Sequence, residues 1–223
     1  ITLCNDVTIM RNGKVIDSCS TDNQTAKSLA TKMLGEKLED LKTDYSHIKN
    51  EISFSSKNIS CSFNDPFFTD LKNISFDVNV GEIFGIAGVA GNGQSELMDI
   101  LVGENTLIDS GELIFNNKNI EYLGPQKRRD LSIAFVPENR LGHSAVPELT
   151  LSENILLSQF PNNKFSKNGI LNRNSIEDYA IKVIENFNVV TPGSDARASS
   201  LSGGNLQKFV IGREISSKPK LLI

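Results

Sequence analysis

Two short β-prone runs, Val7 to Met10 and Lys14 to Asp17, are joined through Arg11-Asn12-Gly13. Asn-Gly between such runs predicts a hairpin. From Thr25 to Leu34 the spacing changes: Ala26, Leu29, Ala30, Met33 and Leu34 share one helical face, and Gly35 supplies the stop. One hairpin and one helix cannot bury themselves, so residues 1–35 read as the end of a domain whose body lies upstream. Residues 36–51 are charged and weakly periodic, as expected of a linker.

A new pattern opens at residue 52. Ile59, Cys61 and Phe63 alternate, Asn64-Asp65-Pro66 breaks the alternation, and Ile74, Phe76, Val78 and Val80 resume it. Glu82 to Ala87 then reads as a buried strand running into glycines, followed by a helix from Glu96 to Leu101 that Gly103 ends. A strand is expected over Ser132 to Val136 and a capping box at Thr150-Leu151-Ser152-Glu153. A helical stripe follows at Ile176, Tyr179, Ala180, Val183, Ile184 and Phe187, and another at Leu206, Phe209, Val210 and Ile215. The run Gln126 to Asp130, with Lys127, Arg128 and Arg129, is most simply a solvated face.

The 223 residues are 39 % hydrophobic and 22 % charged, the composition of a globular protein with a real core. No stretch approaches the roughly 20 apolar residues that cross a bilayer. With 23 basic against 27 acidic residues the net charge is 23 − 27 = −4, which argues against a nucleic-acid partner. Cys4, Cys19 and Cys61 form no CxxC pair and read as reduced thiols filling small core spaces. The chain opens on Ile1 and closes in the apolar run Leu221-Leu222-Ile223, so both ends are read as cuts through structure.

Two segments carry chemistry. Gly88-Val89-Ala90-Gly91-Asn92-Gly93-Gln94-Ser95 has the spacing of a phosphate loop at every required position except one, where Gln94 replaces Lys. Glycines let the backbone curl around phosphates, and the following helix adds the positive end of its dipole. Ser95 keeps the hydroxyl that would meet Mg²⁺, while the Gln94 amide donates hydrogen bonds without neutralising charge. A glycine turn of this kind can also be merely structural. The second segment, Leu201-Ser202-Gly203-Gly204-Asn205-Leu206-Gln207, offers backbone amides and a hydroxyl at another helix start. A simple N-cap would need only the Ser.

With both segments in this order the sequence resembles the ATP-binding cassette (ABC) family, whose signature is Leu-Ser-Gly-Gly-x-x-Gln. The resemblance covers most of 52–223. It implies an α/β fold of the P-loop NTPase type: a mixed sheet core with an antiparallel β subdomain and a helical subdomain at about 139–200. It implies ATP and Mg²⁺ as ligands. Phe63 takes the place of the aromatic that stacks on adenine, although the residue also fits a strand position packed in the core. Glu138, in Phe135-Val136-Pro137-Glu138, takes the place of the Q-loop glutamine that faces the metal, and a solvated loop acid fits it as well. The loop from Asn139 to Pro147 is where family members meet the membrane subunit, and His143 within it is expected to be exposed and inert.

The variants Gly-Asn-Gly-Gln-Ser-Glu-Leu, Val-Pro-Glu-Asn-Arg and Asn-Leu-Gln-Lys look like the second half of the fused, two-cassette ATPases of bacterial sugar and nucleoside importers. On this resemblance, residues 1–35 end a first cassette, 36–51 link it, and 52–223 form a second cassette that stops at the Walker B strand, Lys220 to Ile223. Its phosphate loop (Gly88, Gly91, Asn92, Gly93, Gln94, Ser95) and its signature (Ser202, Gly203, Gly204, Gln207) would grip two different ATP molecules. Ser95 and Glu138 are the metal candidates, and the Walker B acid and switch His would lie beyond Ile223. The implied partners are the first cassette, transmembrane permease subunits and, indirectly, an extracytoplasmic substrate-binding protein. The implied location is peripheral, on the cytoplasmic face of the inner membrane. A non-transport ABC ATPase and a regulatory nucleotide-binding half are the alternatives.

Overall fold

The computed structural model describes residues 4–11, 13–35, 48–139, 141–159, 165–167 and 169–223. The chain divides into two compact units, Ile1–His47 and Ile48–Ile223.

In the first unit, β1 (Asp6–Arg11) and β2 (Lys14–Ser20) pair antiparallel with a register shift between Ile9 and Met10. The helix α1 (Ala26–Leu34) starts at a reciprocal cap between Thr25 and Ser28 and ends at Gly35, whose φ of 82° is the left-handed conformation glycine favours. The hairpin and helix are those the pattern predicts. Among the described residues of this unit Ile9 is the buried apolar one, whereas Met10, Val15, Met33 and Leu34 are exposed. Lys32 joins α1 to β2 through Asp17 at 2.7 Å.

In the second unit, β3 (Ile52–Cys61), β4 (Leu71–Asn79), β5 (Ser110–Phe115) and β6 (Lys118–Asn119) form an antiparallel sheet in the order β4-β3-β5-β6. One face of this sheet buries Phe54, Ile59, Leu113 and Phe115 in a cluster with Leu97, Ile100 and Leu101 of α2 (Gln94–Val102). A short helix α3 (Pro125–Asp130) leads to β7 (Ile133–Ala134), which pairs parallel with β10 (Leu221–Leu222). Between them lie α4 (Leu151–Gln159), the hairpin β8 (Ser166–Lys167) and β9 (Ile170–Leu171), α5 (Arg173–Asn186) and α6 (Gly203–Ile215). The three helices share a second core around Leu151, Ile155, Ile176, Ala180, Val183, Leu206 and Phe209. The 3,4 stripe on α5 is therefore core, with Tyr179, Ile184 and Phe187 packed at its edge.

Three expectations fail. Glu82 to Ala87 is not a strand, and Ile83 is 94 % exposed. A buried strand takes its form from ladders on its flanks. Among the described residues no strand pairs with this segment, so Ile83 and Ile86 stay exposed while the Phe84 ring stacks on Phe76 of β4 at 5.0 Å. The Gln126 to Asp130 run is not a solvated face, because Arg128 is 0 % exposed and donates to five backbone carbonyls. Composition along a six-residue helix cannot reveal that its central cation faces inward. Of the cysteines, only Cys61 is buried as expected, and Cys4 is exposed.

Candidate functional site

The glycine loop leaves β4 and enters α2 at Gly93, whose φ of 97° and left-handed conformation cap the helix without any side chain. A Cβ at Gly93 would meet Leu71 Cδ2 at 2.9 Å, so backbone conformation and packing both require glycine there. Gly91 is also left-handed, at φ +86°, but faces open space. Gln94 folds back over the loop: its Nε2 donates to the Val89 carbonyl at 3.0 Å, and its Oε1 accepts from the Asn92 N–H at 3.1 Å. Ser95, in the first turn of α2, is exposed. Positions 88–95 contain no charged side chain, so the loop can attract an anion only through backbone amides, the helix dipole and neutral side-chain donors.

A second loop is latched onto this one. Thr69 donates its hydroxyl to the Gly91 carbonyl at 3.0 Å and its N–H to Glu96 Oε1 at 2.9 Å. The latch ties residues 62–70 to the glycine loop. Within them the Phe63 and Phe68 rings stack, 5.5 Å apart and 15° from parallel. Phe63 also packs against the sheet core, while Phe68 is 47 % and Phe67 92 % exposed.

At the other turn, Ser202 caps α6: its hydroxyl accepts from the Asn205 N–H at 3.4 Å and from Asn205 Nδ2 at 3.0 Å. Asn205 Oδ1 in turn takes the Val190 N–H at 3.0 Å, which fixes the helix start to the loop after α5. Ser202, Gly203, Gly204 and Gln207 are all exposed, and a Cβ at Gly204 would touch nothing within 4 Å. Ala is favoured over Gly in a helix by roughly 1 kcal/mol, so nothing among the described residues requires the glycine. At its far end α6 carries a buried ionic cluster. Arg213 Nε lies 2.9 Å and Arg129 Nη1 2.7 Å from the Glu214 carboxylate, which is 0 % exposed. Arg213 also donates to the Ser144 and Asn154 carbonyls, and Arg129 lies 3.9 Å over the Phe135 ring. Burial lowers the Arg213 pKa, and Glu214 opposes that shift.

Residues 71–223 match the ABC transporter family. The chain belongs to it. Relatives include the nucleoside import ATP-binding protein NupA of Lactococcus lactis subsp. cremoris MG1363, 37 % identical over 97 % of this chain and 42 % of its own length. The ribose import ATP-binding protein RbsA of L. lactis subsp. cremoris SK11 is 35 % identical over 100 % of this chain and 43 % of its own. This chain thus spans about two fifths of each. Among solved structures, MJ1267, an ATP-binding cassette of an ABC transporter, superimposes with a TM-score of 0.61 at 26 % identity, covering 78 % of this chain and 68 % of that one. The fold is that of an ABC cassette.

Within this ABC cassette the structure gathers Gly88, Gly91, Asn92, Gly93, Gln94 and Ser95 in one hydrogen-bonded loop and sets Phe63 in the segment latched to it. Among the described residues no hydrogen bond joins that loop to Glu138, which is exposed, or to Ser202–Gln207. His143 is exposed as expected but engaged, its Nε2 lying 2.6 Å from Glu104 Oε1 at the end of α2. Thr69, Glu96, Phe68 and the Arg129–Glu214–Arg213 cluster escape sequence reasoning. Only Arg213 left a trace: it falls four and three positions after Phe209 and Val210, on the apolar stripe of α6. A cation there demands a buried partner.

Proposed function

We infer that this chain supplies the second cassette of a two-cassette ATPase that energises import of a simple sugar or nucleoside. Residues 1–35 are the closing hairpin and helix of the first cassette, and 36–51 the link. The observation that carries the reading is the pair of exposed anion-gripping turns. Each has a glycine, Gly91 or Gly204, whose missing side chain faces open space, so each surface is shaped for something outside the chain. The names of the relatives, nucleoside import and ribose import, supply the substrate class.

In this arrangement Gly88–Ser95 holds one ATP against the signature of the first cassette, and Ser202, Gly203 and Gly204 close over the ATP held by the first cassette. Phosphoryl transfer to water is catalysed by positioning and charge neutralisation. The exposed Ser95 hydroxyl fits a hard cation that prefers oxygen ligands, and exposed Glu138 is a second candidate. Bound there, Mg²⁺ would supply charge neutralisation for the phosphates. Gln94 adds no charge of its own, so the local site binds nucleotide more than it cleaves it. The loop 139–147 meets the permease, through which an extracytoplasmic binding protein acts. The cassette sits peripherally at the cytoplasmic face of the inner membrane, and no helix among the described residues is long and apolar enough to cross a bilayer.

The test is a ranking in the intact transporter. Gly204→Asp, which puts a carboxylate against the phosphates, should abolish most ATPase activity. Gln94→Lys should change it modestly. The reverse order would refute the assignment of the two turns.

A further inference from the structure

The Gln94 side chain does more than leave a charge out. Val89 and Asn92 are the first and last residues of a four-residue turn, and the Gln94 carboxamide bonds both ends of it, donating to the Val89 carbonyl and accepting from the Asn92 N–H. A Cβ at Gly88 would lie 2.3 Å from Gln94 Nε2, so the amide rests directly on that glycine. A lysine, with three donors and no acceptor, could take the carbonyl but never the N–H. The Asn92 N–H belongs to the backbone set that the phosphate-loop reading assigns to the anion. We propose that Gln94 is a built-in plug: in the absence of nucleotide its Oε1 occupies an amide meant for phosphate, and ATP binds only by displacing it. This rests on the reading of Gly88–Ser95 as a nucleotide loop and extends it, because the weakness of the site becomes active competition and not only missing charge.

The two explanations differ in sign for an apolar substitution of similar length. If Gln94 merely lacks charge, its amide still helps phosphate, and Gln94→Met weakens binding. If it is a plug, Gln94→Met frees the Asn92 N–H and tightens binding by about two- to tenfold, the worth of one net hydrogen bond. Gln94→Lys, which frees the amide and adds charge, should bind more tightly still. ATP is titrated into each protein and followed through the backbone amide signals of Gly91 to Ser95, which report this loop alone. Amide exchange at Asn92 without nucleotide is the second readout, expected to be about tenfold or more faster in Gln94→Met and Gln94→Ala than in the wild type. Unchanged exchange at Asn92, or ATP binding no tighter in Gln94→Met than in the wild type, overturns the plug. If Gln94→Lys also fails to bind ATP at this loop, the nucleotide-loop reading itself falls, and the plug with it.

Discussion

Arg128 ties the last turn of α2 to the segment that follows β6. All five of its N–H groups are used: Nε donates to Leu123, Nη1 to Ile100 and Leu101, and Nη2 to Ile120 and Glu121, at 2.6 to 3.2 Å. Ile100 and Leu101 end α2, where carbonyls have no intrahelical donor. Arg128→Met takes this donor from all five carbonyls; Ile120 keeps the Leu123 N–H, so among the described residues four are left without a donor. At about 1 kcal/mol for each buried bond lost, the substitution costs about 4 kcal/mol. Relief of burying a cation, whose pKa desolvation brings down to about 10, offsets part of that. A net loss of about 3 kcal/mol lowers the melting temperature by roughly 6–12 °C for a unit of this size. Thermal unfolding followed by circular dichroism reads the shift. A fall of less than about 2 °C would show that the five bonds contribute nothing net and that α2 is anchored by packing alone.

Gly212→Ala should destabilise the protein even though Ala is the better helix former, because the new Cβ would lie 2.6 Å from the Phe187 ring, and a higher melting temperature would refute the packing argument. The cap of α4 should make stability depend on pH: the Thr150 N–H and hydroxyl both bond Glu153, and the backbone bond is the larger cause of its lowered pKa. A carboxyl depressed by folding contributes stability above its unfolded pKa, and that contribution is lost as pH falls through the folded value. Wild type should therefore lose more thermal stability than Glu153→Gln between pH 6 and pH 3, and parallel curves would contradict the assignment.

Most of the fold was legible because its signals are local. Asn-Gly in the first hairpin, Gly35 and Gly103 as helix stops, the Thr150–Glu153 cap and the α5 stripe each act within a few residues. The loop and signature were legible for the same reason. What escaped is set by distant partners. Glu82–Ala87 has the apolar content of a central strand, but strand geometry comes from neighbours and not from composition. Arg128 and Arg129 look like surface charge until the carbonyls of α2 and the carboxylate of Glu214, 85 residues away from Arg129, are in place. The Thr69 latch to Gly91 spans 22 residues and involves a hydroxyl that no periodicity marks.

The two glycine turns of this chain are proposed to serve different nucleotides. ATP-dependent hydrogen exchange over residues 88–95 and 202–207 tests it directly when measured both on this chain alone and in the intact transporter. ATP should protect only 88–95 in the isolated chain and both segments in the transporter. Protection of 202–207 in the isolated chain, or of neither segment in the transporter, would contradict it.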